Sequence, residues 1–149
     1  IGPDEGMLRG LANREGVAGR VKFLGQIDHK EMPKYLKVSD IFIRPSRSEG
    51  MGISFVEAMA ARIPVVATPV GGITDFLFDP TSNPEMPPTG LFAKVADPED
   101  TARAIKQLID DKELTARCVE NAYGMVMERY DWDIIAHDMR SKVFDRMLA

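Results

Sequence analysis

Two carboxylates, Glu49 and Glu57, stand eight positions apart in the stretch RPSRSEGMGISFVEAMA (44–60), with Gly50, Met51 and Gly52 between them and an apolar, Ala-rich run beginning at Ile53. The stretch follows the apolar run DIFI and precedes a helical pattern, so it occupies the loop where a strand hands over to a helix. In open parallel sheets this is where ligands bind, outside the carboxyl ends of the strands. Glycines there let the backbone come close to a ligand, and the unpaired N–H groups of a first helical turn attract an anion such as a diphosphate. Glu57 could accept hydrogen bonds from a vicinal diol such as a ribose, and Glu49 could face whatever is attached beyond the phosphates. A plainer assignment competes, because Ser54-x-x-Glu57 has the form of a capping box and an acid beside glycine is common in solvated loops.

The elements that would position these residues read as alternating strands and helices. Short β-branched runs at 20–25 (RVKFLG), 40–46 (DIFIRPS), 64–69 (PVVATP) and 90–95 (GLFAKV) predict strands. Helical patterns over about 4–16, 31–38 and 53–62, with a short helical turn after Gly71-Gly72, fill the intervals. This is the form of βαβ units, hence an α/β fold with an open parallel sheet and flanking helices. After Val95 the pattern is helical only. Asp97-Pro98 opens one helix, residues 113–129 form a second, and 130–149 a terminal amphipathic one. The Pro-rich stretch FDPTSNPEMPPT (78–89) predicts a surface loop, to whose residues 79–88 no role is assigned. The opening IGPDEG suggests the end of a strand and a turn, as in a chain cut from a larger protein.

At 149 residues, 44% hydrophobic and 28% charged, residues 1–149 suit one globular domain. The net charge of -4 and pI near 5.2 argue against nucleic acid as a partner. No apolar run nears the roughly 18 residues that would span a bilayer, no signal peptide is visible, and a single cysteine, Cys118, suits a reducing, cytoplasmic compartment and a buried apolar role.

Other chemistry-bearing residues have structural explanations. Asp131-Trp132-Asp133 has Asp-x-Asp metal spacing but follows a helix, so capping of the last helix explains it. His29 and His137 lack partners at metal spacing, and no metal site is expected. Trp132, with Ile135 and Met139, is expected in the core. Gly50-x-Gly52 lacks the third glycine of a dinucleotide fingerprint, Phe55 standing in its place. Arg44 and Arg47 flank the loop and could touch phosphate, or, for Arg44, simply end a strand pointing outward.

The segment from VKFLG to GGITDFL (21–77), with Glu-x7-Glu in the frame SEGMGISFVEAMA, then PVVAT and Gly71-Gly72, closely resembles the C-terminal, nucleotide-sugar-binding domain of the retaining GT-B glycosyltransferases called group 1 or family 4. The likeness runs over nearly the whole chain. It implies a Rossmann-like GT-B C-terminal half, truncated at its N-terminus, that serves a hexose-type transferase. Glu57 would bind the donor ribose and Glu49 would lie at the transferred sugar. Backbone N–H groups of Gly50, Met51, Gly52 and Ile53 would hold the sugar and diphosphate, and the loop around Ile27 would lie near the base. The resemblance implies a nucleotide sugar as donor substrate, no metal and no separate cofactor. The acceptor would bind a missing N-terminal domain, through which peripheral membrane contact is possible. Asp75 stands where the family has Glu, the loop at 79–88 is longer than usual, and the family's basic, Gly-rich segment would precede Ile1, so the isolated chain is expected to be inactive. A non-catalytic nucleotide-binding or scaffold module of the same fold, and a nucleotide-sugar epimerase, are the alternatives.

Overall fold

The computed structural model describes residues 3–147. The strand end expected at Ile1 lies outside them. The chain divides into two compact units, residues 1–34 and 35–149.

In the first unit, helix α1 (Glu5–Arg14) carries an Arg9–Glu5 ion pair one turn apart, and the Arg9 guanidinium sits 4.3 Å from the centre of the Phe23 ring. A 3₁₀ turn at Ala18–Arg20 follows. The strand expected over 20–25 does not form. A strand is held by its ladder, and no described strand bonds to this segment, which leaves Val21 and Leu24 exposed.

Helix α2 (Met32–Lys37) leads into the second unit, whose sheet has three parallel strands in the order β1 (Phe42–Arg44), β2 (Val65–Ala67), β3 (Leu91–Phe92). Phe42 pairs with Val65, Arg44 with Ala67, and Val66 with Leu91. β2 is central and almost wholly buried, as its unbroken Val-Val-Ala composition requires, whereas β1 is partly exposed. Helix α3 (Ile53–Ala60) makes the crossover from β1 to β2.

The two long helices α4 (Pro98–Asp110) and α5 (Lys112–Arg129) each start on an aspartate cap: Asp97 accepts from the Asp100 N–H at 2.9 Å and Asp111 from that of Leu114 at 2.9 Å. Between them and the sheet lies a core of Val66, Leu91, Ala93, Ala104, Leu108, Leu114 and Cys118. Burial pushes the Cys118 thiol up to about 11. A second line of packing runs through aromatic rings, Phe42 to Phe55 (5.4 Å between centres), Phe55 to Phe76 (6.3 Å) and Phe76 to Tyr130 (6.4 Å).

The terminal helix is α6 (Trp132–Met139), a π-helical segment (Arg140–Phe144) and α7 (Asp145–Met147). Asp131 caps it by accepting from the Asp133 N–H, which accounts for the Asp-x-Asp spacing. Trp132 is not in the core: it is 80% exposed, and Met139 is also exposed, because α6 turns this face to solvent and only Ile135 is half-buried. Among the described residues no helix is long and apolar enough to cross a membrane.

The stretch 78–89 is a loop without regular structure, but it is pinned at its root. The buried Asp79 carboxylate accepts N–H bonds from Thr81 (2.7 Å) and Phe92 (2.8 Å), and Asp79 and Asn83 bond to one another in both directions. Thr89, also buried, bonds Phe76 and Phe78, and Asn121 of α5 holds the Pro88 carbonyl at 3.0 Å.

Candidate functional site

The site is built where β1 ends. The chain leaves the sheet at Arg44, loops through Pro45–Met51, and enters α3 at Gly52, whose φ of +75° makes it the helix N-cap in a left-handed conformation. A side chain there would be strained, and its Cβ would fall 2.7 Å from the Phe55 ring. Among the described residues no side chain caps α3. The capping box suggested by Ser54-x-x-Glu57 is therefore absent. Ser54 is already inside the helix, with its hydroxyl accepting a bond from Arg44 Nη1 at 2.8 Å, and Glu57 falls in the second turn rather than at the end of the first.

Glu57 is half-buried and has a bonding partner of its own. Together with Met51, Ile53 and Val56 it lines a cavity of about 490 Å³, closed on the other side by Tyr130, Trp132 and Ile135. Met51 and Ile53 are 50% and 65% exposed, so the start of α3 is an open, apolar lip. Glu49 does not line this cavity. Its side chain, 13% exposed, is held on the loop, where Oε2 takes an ion pair from Arg44 Nη2 at 2.9 Å and a hydrogen bond from the Ser46 hydroxyl at 3.2 Å.

The loop rests on the turn that follows β2. The Gly72 N–H donates to the Gly50 carbonyl at 2.9 Å. Gly71, at φ +55°, lies so close that a Cβ on it would meet the Glu49 carbonyl oxygen at 1.9 Å, and one on Gly72 would meet the Gly50 oxygen at 2.7 Å. Thr68, at the end of β2 and fully buried, bonds the Ser46 carbonyl through its hydroxyl. The 3₁₀ turn over Gly71–Asp75 ends on Asp75, which is exposed and closes the turn instead of starting a helix.

Glu49, Gly50, Met51, Gly52, Ile53 and Glu57 thus lie on one loop and the helix it opens. Ile27 is half-buried within the first unit. Sequence reasoning did not anticipate that Arg44 ties Glu49 to Ser54, or that Thr68 supports the loop. The Gly71-Gly72 pair was the visible signal for a close backbone approach. Among the described residues no cluster of His, Cys, Asp and Glu side chains is arranged as metal ligands. What the site offers is two carboxylates, a guanidinium, an uncapped helix start and an adjoining cavity, a set suited to polyhydroxylated anions.

Residues 1–125 match the family described as glycosyl transferases group 1. The chain is 33% identical over 129 residues to the alpha-D-kanosaminyltransferase of Streptomyces kanamyceticus, covering 87% of this chain and 32% of the relative. Among solved structures it is similar to the Anabaena HepE protein in complex with UDP and glucose, with TM-score 0.82, 26% identity, and coverage of 94% of this chain and 36% of that one. It is also similar to the C-terminal domain of a group 1 family glycosyl transferase from Francisella tularensis, with TM-score 0.73, 25% identity, and coverage of 89% and 66%. The chain spans about a third of the length of the curated relatives it matches.

Proposed function

The chain belongs to the group 1 glycosyltransferases and has the fold of the C-terminal half of a GT-B enzyme, and from that premise we propose that it binds the nucleoside diphosphate sugar from which a retaining transferase moves a hexose-type sugar. The observation that carries this reading is the start of α3: an uncapped helix N-terminus entered through a left-handed glycine, with Glu57 lining the cavity beside it.

In this reading the diphosphate meets the N–H groups around Gly50, Met51, Gly52 and Ile53. The positive end of the α3 dipole then favours the charge that builds on the departing diphosphate as the bond to the sugar breaks. Glu57 accepts hydrogen bonds from the ribose hydroxyls, and Glu49 lies at the transferred sugar. The donor is a substrate, and the reading assigns no metal or other cofactor. A second domain, consistent with relatives about three times as long, would hold the acceptor and supply any peripheral membrane contact. The chain alone would then bind donor without transferring the sugar. The likeness to a UDP- and glucose-bound protein supports a nucleotide sugar as partner, and a cytoplasmic supply of such donors fits the cysteine usage.

Calorimetric titration of UDP, GDP and ADP into the protein tests the assignment. Loss of a charged hydrogen-bond acceptor predicts that Glu57→Ala weakens the nucleotide that binds by about tenfold or more, with the far-UV circular dichroism spectrum unchanged. Equal affinity in the variant would remove Glu57 from the ribose.

A further inference from the structure

Resting on that reading, we propose that Arg44 is a positioning residue that presents Glu49 to the transferred sugar. Arg44 is the last residue of β1, and its backbone is fixed in the ladder opposite Ala67. Its guanidinium forks, Nη1 reaching Ser54 Oγ at 2.8 Å and Nη2 reaching Glu49 Oε2 at 2.9 Å, while its carbon end lies 5.9 Å from the centre of the Phe55 ring. One cation therefore links the rigid end of the sheet, the middle of the loop and the first turn of α3. A planar fork with two fixed arms transmits position in a way that a single flexible ammonium does not.

Each terminal nitrogen of Arg44 has a partner in the site, so Glu49 and Ser54 fix the plane of the guanidinium. Its remaining N–H groups could still meet a phosphate, and affinity for the bare diphosphate distinguishes the two roles. Both bonds to the Glu49 carboxylate fall on Oε2, and the second comes from Ser46, itself tied to Thr68 through its carbonyl. Among the described residues Oε1 takes no hydrogen bond, which leaves it for a sugar hydroxyl. Functional side chains act reliably when neighbours on rigid elements lock them in this manner.

The test separates the sugar from the nucleotide. Affinities are measured for UDP and UDP-glucose, for GDP and GDP-mannose, and for ADP and ADP-glucose. The ratio within the pair that binds gives the gain due to the sugar. Arg44→Gln is expected to cut that gain by about tenfold, the scale of a charged hydrogen bond, while the affinity for the bare diphosphate stays within about twofold. Arg44→Lys restores part of the gain, because it keeps the charge and loses the fork. In a Glu49→Gln background Arg44→Gln costs little more, since it acts through Glu49. Ser54→Ala, which removes only the second arm, gives a smaller loss of the gain and provides the reading if Arg44→Gln does not fold.

Equal weakening of diphosphate and diphosphate sugar would assign Arg44 to the phosphates and overturn the proposal, as would an unchanged gain in both Arg44→Gln and Ser54→Ala. If none of the three pairs binds the unaltered protein, the donor-binding reading itself fails and this proposal falls with it.

Discussion

Two loops of the second unit, 45–52 and 78–89, both carry an acid near a strand end, and they use it in opposite ways. Asp79 is buried and spends its oxygens on backbone N–H groups of Thr81, Ser82 and Phe92, so it closes a turn and fastens β3 to the loop. Among the described residues Glu49 accepts no bond from the backbone. Side chains hold it, Arg44 and Ser46, and on one oxygen only. A carboxylate saturated by its own backbone is part of the scaffold. One steered by side chains retains an oxygen for something else. The long proline-rich loop, which looks the more exotic of the two in sequence, is the structural one.

The sharpest way to break this contrast is to push the site loop off its support. Gly71→Ala puts a methyl group at 1.9 Å from the Glu49 carbonyl oxygen in a left-handed backbone, so stability in denaturant titration should fall by about 3 kcal/mol or more, and nucleotide binding should be lost with it. A variant as stable as the parent would mean that the loop does not rest on this turn. Next in size is Asp79→Ala, which removes a buried carboxylate and the N–H bonds it accepts from Thr81 and Phe92, and should cost about 2–3 kcal/mol. Nucleotide affinity, measured where the variant is still folded, should not move; a parallel loss of affinity would make the loop a part of the site. Smallest is Glu49→Gln. Its ion pair is half exposed on the arginine side, so unfolding should shift by less than about 1 kcal/mol, and a cost as large as that of Asp79 would erase the distinction between the two acids.

Much of this fold was legible because burial on both faces writes itself into composition. Val65, Val66 and Ala67 read as a buried parallel strand and are one, and Asp97 and Asp131 announce the helices they cap, whereas the cap at Asp111 was not foreseen. The run Val21 to Gly25 has the same apolar look and forms no strand, since pairing is supplied by a neighbour and not by the segment itself. Trp132 misled for a related reason: its helical spacing with Ile135 and Met139 marks a face, and only tertiary packing decides whether that face is covered. In the site, glycine spacing and the Glu-x7-Glu frame were visible. Whether Ser54 capped α3 was not, because that turns on the single dihedral of Gly52. Nor could residue types alone show Arg44 reaching five positions along the chain in one arm and ten in the other.

The sealed thiol between α5 and the sheet has a practical corollary. Cys118 is the sole cysteine of the sequence, has no exposed surface, and is held as a neutral thiol far above physiological pH. Maleimides and alkylating probes should therefore pass the native protein by. A cysteine placed on the exposed loop, at Arg47 for example, would be a unique attachment point, and a fluorophore there could report donor arrival with no background from the interior.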